Sequence, residues 1–326
     1  MLSFADRVPG LSKFFLYTIL SLIAVGFLFG FLLLRGLSDF DLSEYRQVEL
    51  QFSTNQGVMA GTLILPSGTD GASITVFVHG DGPQDRFSSD GYLVQMRLLL
   101  EAGIGVFSWD KPGVGASEGN WLHQSMSDRA REATAALDAV RAQEGVDPGK
   151  VGFLGFSQAG WVVPEALGPG TEAAFGIVVG GAVNWEDQGT YYGRQRRAQG
   201  IERASMSADR RAFVERNQTS DARAALAHIS GPFLGIFGSE DLNVDSVRNV
   251  EIYRELAEPL RRENEVMVVE GATHGLLRAP LFNYQLLSQW PSWTVLAYVI
   301  VGRYAFVADV WDQTASWIWS VVPPSQ

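Results

Sequence analysis

Residues 155 to 160 read Gly-Phe-Ser-Gln-Ala-Gly, after the β-rich run Val151 to Phe156 and before a helical stretch. A strand-to-helix turn this tight needs small residues on both sides, lifts the serine hydroxyl off the sheet edge, and points a helix N-terminus at developing negative charge. Ser157 is thus a candidate nucleophile for acyl transfer; an ordinary turn serine is the plainer reading. Ala159 stands where a G-x-S-x-G turn has its second glycine. A hydroxyl is a weak nucleophile near neutrality and needs a base oriented by a third group. Of the four histidines, His274 in Gly271-Ala272-Thr273-His274-Gly275 is best placed for that, in a glycine-flanked loop after the last β-rich run. His79 ends an earlier strand, His123 follows a polar loop and His228 falls in a helical stretch. The acid is expected at Asp241, in Phe237-Gly238-Ser239-Glu240-Asp241, with Glu240 and Asp245 behind it; a helix N-cap is the alternative role for such an aspartate.

The oxyanion of a tetrahedral intermediate needs donors. The backbone N–H of Gln158 supplies one. The other should come from His79-Gly80-Asp81-Gly82-Pro83, where Pro83 has no N–H, so Asp81 or Gly82 must serve. A carboxylate at Asp81 would repel the oxyanion unless it turns away.

These residues must be held at strand ends. Val48 to Phe52 and Val58 to Leu65 read as a hairpin around Asn55-Gln56-Gly57. Apolar runs then recur at Ile74–Val78, Ile104–Trp109, Val151–Phe156, Phe175–Val179, Phe233–Phe237 and Glu265–Val269. Helical patterns lie between them at Tyr92–Ala102, Ser127–Gln143 and Ser246–Arg262. Strands alternating with helices predict an α/β fold whose mostly parallel central sheet is entered through an antiparallel hairpin. Asn184 to His228 is polar and helical in pattern, a small cap inserted between two strands, and its charge run Arg194 to Arg197 reads as a solvated face. Pro280 to Val310 carries Trp290, Trp293, Tyr298, Tyr304 and Phe306; core and cap packing is expected for them, with a bilayer interface as the alternative.

Phe14 to Leu34 holds no charge and is long enough as a helix to cross a bilayer. Large aliphatics precede Arg35-Gly36-Leu37-Ser38, unlike a small-residue cleavage site, so the segment is expected to be a single-pass transmembrane anchor rather than a signal peptide. The expected division is a tail over 1–13, the anchor over 14–34, a linker over 35–46 and a catalytic domain over 47–326. Arg7 and Lys13 nearly balance Arg35 and Arg46; the N-terminus is placed in the cytoplasm and the catalytic domain on the opposite side. A formal charge of −11 argues against a nucleic-acid partner, and the lack of cysteine excludes disulfides, thiolate metal sites and a cysteine nucleophile.

Five ordered segments resemble the α/β-hydrolase superfamily, in its esterase, thioesterase and aminopeptidase-like branch: HGDGPQDR from His79, WDKPGVGASEG from Trp109, GFSQAG from Gly155, FGSED from Phe237 and GATHG from Gly271. Asp110 to Ser117 looks like the D-x-x-G-x-G-x-S turn of that branch, which supports the nucleophile turn. The resemblance runs from Val48 to Leu277 and departs at Asp81, where a small or apolar residue is usual, and at Ala159. It implies a serine hydrolase with Ser157, His274 and Asp241 as its triad, acting on a small acyl substrate and requiring neither metal nor organic cofactor. A peptidase, an acyltransferase and a non-catalytic binding protein are the rival readings. The anchor and the aromatic segment suggest a lipidic substrate.

Overall fold

The computed structural model describes residues 9–68, 71–202 and 205–322. Residues 1–8 of the expected tail therefore lie outside the described residues.

Eight strands form one sheet: β1 (Arg46–Thr54), β2 (Gly57–Leu65), β3 (Ser73–Val78), β4 (Ile104–Trp109), β5 (Val151–Phe156), β6 (Gly176–Val179), β7 (Phe233–Gly238) and β8 (Glu265–Val269). Their order is β1-β2-β4-β3-β5-β6-β7-β8. β1 pairs antiparallel with β2, and β2 with β4; every other pairing is parallel. β3, β4 and β7 are buried along their whole length, as strands covered on both faces must be, which is why they read as unbroken apolar runs.

Ten α-helices accompany them among the described residues: α1 (Pro9–Ser38), α2 (Leu93–Glu101), α3 (Met126–Arg141), α4 (Ala159–Ala166), α5 (Trp185–Ala198), α6 (Ala208–Asn217), α7 (Arg223–Leu226), α8 (Ser246–Leu256), α9 (Ser292–Val301) and α10 (Val310–Val321). One apolar cluster packs α3, α4 and α8 on one face of the sheet, and a second packs α2 and α10 on the other. The capping box of Ser125 and Asp128 fixes the start of α3. α8 stops at Leu256, short of the expected Arg262. Its continuation is a 3-10 turn over Glu258–Leu260, since Pro259 lacks the N–H that the ladder needs.

α5, α6 and α7 fill the excursion between β6 and β7. α5 and α6 begin on the side-chain caps Asn184 and Ser207. In the aromatic segment Phe282, Trp290 and Tyr298 pack ring against ring, as expected for core and cap packing, whereas Trp293, Leu296 and Tyr304 face outward.

Phe15–Ser38 is long and apolar enough to cross a membrane, the property shared by an anchor and a signal sequence. The expected linker over 35–46 is no free tether. α1 continues to Ser38, and both Asp39 and Leu42 are buried. α1 packs on α9, with Gly36 so close to the carbonyls of Val299 and Ile300 that no Cβ would fit. Asp39 accepts from the Arg303 N–H at 2.8 Å and from its Nε at 2.7 Å, and Arg303 reaches on to Glu101 at 2.6 and 2.8 Å. Asp39 disguised this docking, because its partner Arg303 lies 264 residues away in sequence.

Candidate active site

β3 and β5 are neighbours, but the chain leaves them toward opposite sides of the sheet, β3 toward β4 and β5 toward β6. The crevice beyond the carboxyl ends of such a strand pair is where this architecture binds ligands. Ser157 stands at the end of β5, and the loop beginning at His79 leaves the end of β3.

Ser157 has φ 55°, a left-handed conformation uncommon for a residue with a side chain. Its N–H donates to Val179 O at 2.8 Å, tying the turn to β6. A Cβ on Gly155 would sit 2.5 Å from the Ala159 methyl, so glycine at the first position makes room for alanine at the second. Gly160 lies against the backbone of Ala182 with the same lack of space.

His274 Nδ1 and Asp241 Oδ2 are 2.7 Å apart, and the Asp241 side chain is 0% exposed against 21% for His274. The other Asp241 oxygen accepts from the N–H groups of Asn243 at 2.7 Å and Val244 at 2.8 Å. A carboxylate fixed at both oxygens sets the imidazole so that Nδ1 carries the hydrogen and Nε2 faces away. Asp245 instead caps α8 by accepting from the Arg248 N–H. Glu240 makes no contact with His274, so of the three candidate acids only Asp241 meets the histidine. Ser157 and His274 line one cavity, and the Ser157 hydroxyl has no hydrogen-bond partner among the described residues.

Gly180 escaped the sequence reading. It has φ 58°, and a Cβ there would lie 2.8 Å from both Cε1 and Nδ1 of His274 and 3.4 Å from Asp241 Oδ2. The signal was a glycine directly after a buried strand. The other histidines sit elsewhere. His79 is fully buried, bonded through Nε2 to the Trp109 carbonyl, and burial pushes its pKa down to about 3. His123 and His228 make local contacts with Asn120 and the Ala224 carbonyl.

The Asp81 carboxylate does turn outward. It accepts from Arg210 on α6, at 2.8 Å from Nη1 and again from Nη2, and from Gln158 Nε2 at 3.2 Å. Burial opposes its ionisation, but the Arg210 hydrogen bonds and charge prevail and hold its pKa below the usual carboxylate value. A Cβ on Gly80 would be 3.4 Å from that of Ser157, so the loop runs directly beside Ser157.

Two buried cations brace this loop. Lys111 Nζ donates to the carbonyls of Gly80 at 3.0 Å and Gly82 at 2.8 Å. Arg129 on α3 bridges the His79 carbonyl, at 2.6 Å, and the Gln158 side chain. Burial, with Arg129 adding to it, pushes the Lys111 pKa well down. In the Asp110–Ser117 turn, Asp110 accepts from Arg86 and from the Ala116 N–H at 2.9 Å, and Ser117 Oγ donates to the Asp110 carbonyl at 2.7 Å. That turn holds the loop rather than touching Ser157. No group of three or more His, Asp or Glu that could hold a metal occurs among the described residues.

Residues 75–313 match the model of the alpha/beta hydrolase family, and the chain belongs to that family. Solved structures with this fold include an alpha/beta hydrolase from Penicillium sp. sh18, with TM-score 0.59, 15% identity, and coverage of 85% of this chain and 99% of that one. An esterase of Pyrococcus furiosus matches with TM-score 0.52 and 18% identity over 80% of this chain and 92% of its own. The acylaminoacyl peptidase of Pyrococcus horikoshii matches with TM-score 0.56 and 13% identity over 86% of this chain, which spans 42% of that protein. At these identities the likeness is one of fold.

Proposed function

We propose that the protein is a membrane-anchored serine hydrolase that cleaves carboxylic esters through an acyl-enzyme. The observation that carries this reading is the hydrogen bond between Asp241 and His274, with His274 lining the cavity that Ser157 also lines. Ser157 Oγ adds to the acyl carbon as His274 Nε2 takes its proton. The oxyanion is met by the N–H of Gln158 and by that of Asp81 or Gly82. The C–O bond of the ester breaks, the alcohol leaves with the proton from His274, and water activated by the same nitrogen then releases the acid. None of these steps calls for a metal or an organic cofactor. A peptidase that reads a free amino terminus would want an unpaired carboxylate near the nucleophile; Asp81 is engaged by Arg210, which favours the ester.

Anchoring belongs to the same proposal. Gly36 and Asp39 tie the end of α1 into the domain, and removing α1 would uncover those contacts. Ser157→Ala is expected to lower turnover of short p-nitrophenyl esters on the order of 10⁴-fold or more with the fold intact. A fluorophosphonate should label Ser157. Labelling at another residue, or full activity in the alanine variant, sinks the reading.

A further inference from the structure

The cavity at Ser157 is about 1880 Å³, well beyond the roughly 300–1,000 Å³ usual for small-molecule sites. Its lining is not uniform in chemistry. One rim is polar, with Glu202, Ser205 and Ser207 of the cap both lining the cavity and exposed. Elsewhere Leu37 and Val295 line the cavity while remaining 45% and 47% exposed, so its mouth between α1 and α9 is apolar. Leu37 belongs to the last turn of α1, and Val295 to α9, which packs against that turn. The wall between them is Phe40, Tyr298 and Val299. The membrane helix therefore builds part of the substrate cavity as well as holding the domain.

The apolar mouth is continuous with a surface suited to lipid. α9 has no charged residue, and its Trp293 and Leu296 face outward beside a helix that is itself long and apolar enough to span a bilayer. Tyr304 and Arg35 stack at the same level, an aromatic and a cation of the kind found at the headgroup boundary. Resting on the serine hydrolase reading, we propose that the substrate is a long-chain acyl ester of a membrane amphiphile. It enters between α1 and α9, its chain lies along Leu37, Phe40, Val295 and Val299, and its polar head points to the cap. In such a molecule the ester carbonyl sits where the polar and apolar parts join, and Ser157 lines the same cavity as both sets of residues. The acyl group passes to Ser157 Oγ, the head alcohol leaves with the His274 proton, and water frees the fatty acid.

The test uses the full chain in lipid nanodiscs with a hexadecyl fluorophosphonate that carries a diazirine at the end of its chain. Once the phosphorus is bonded to Ser157, irradiation is expected to link the tail to the 37–40 turn or to 295–299, read by peptide mass spectrometry. Adducts on the cap rim between 205 and 214, or on water or bulk lipid alone, overturn the proposal. Failure to label Ser157 overturns the hydrolase reading itself and is scored separately. A second measurement needs no crosslink. The wild type should favour hexadecanoyl over butanoyl p-nitrophenyl ester at least tenfold in kcat/KM, and Val299→Trp should cut that ratio at least tenfold. An unchanged ratio also overturns it.

Discussion

At Gly180 a single missing methyl group decides whether His274 and Asp241 can meet. An added Cβ would strike the imidazole, and the left-handed φ would cost roughly 1–2 kcal/mol for any side chain. Gly180→Ala is expected to lower kcat about 100-fold, with KM changing less and the protein still folded by circular dichroism. Asp241→Asn should cost about 10⁴-fold in kcat, because an amide can hold the wrong tautomer. His79 sets a stability limit rather than a rate. Its folded pKa of about 3 lies below the usual 6.5, so the unfolded chain takes up the proton first as pH falls. This contribution is therefore complete above pH 6.5 and is lost below it, at up to about 1.4 kcal/mol per pH unit, until the folded pKa is reached. Urea melts between pH 7 and 4 should show a shallower slope in a folded His79→Asn variant. The triad candidates were legible as residue types in order along the chain. Gly180 was not, because a glycine needed for a contact 94 residues away looks like any other loop glycine.

Among elements, α6 and the loop after β3 are joined by the ion pair of Arg210 and Asp81. This pair turns the acid beside Ser157 into an attachment point for α6. Arg210→Ala should free the carboxylate to repel the oxyanion, lowering kcat more than it raises KM. Asp81→Asn in the same protein should restore much of the loss, and a double-mutant cycle on kcat/KM measures the coupling. Strands were the most readable elements: buried apolar runs placed β3, β4 and β5 as they occur, because burial on both faces leaves nothing to alternate. Helix ends and the bracing by Lys111 and Arg129 were less readable. Both cations look like ordinary surface charges until folding buries them against backbone carbonyls.

For the whole molecule, the proposed orientation puts the catalytic domain outside the cytoplasm. The sequence has no cysteine, so one introduced at exposed Ser67 would be the only thiol. In intact cells Ser67→Cys should react with a membrane-impermeant maleimide; reaction only after lysis would place the domain in the cytoplasm. The apolar run of α1 was plain in the sequence, whereas its attachment to the domain was not. Asp39, Arg303 and Glu101 are 202 and 264 residues apart in their pairings, and no local pattern announces them.

That attachment has a kinetic consequence. With Gly36 seated on α9 and Asp39 held by Arg303, the domain does not hang on a free tether; in the proposed membrane-anchored enzyme the cavity mouth would keep one height and one tilt above the lipid plane. Encounter then becomes a two-dimensional search by lateral diffusion. The velocity should follow the mole fraction of substrate in the surface, and diluting the bilayer with inert lipid should slow the enzyme even when the bulk concentration of substrate is unchanged.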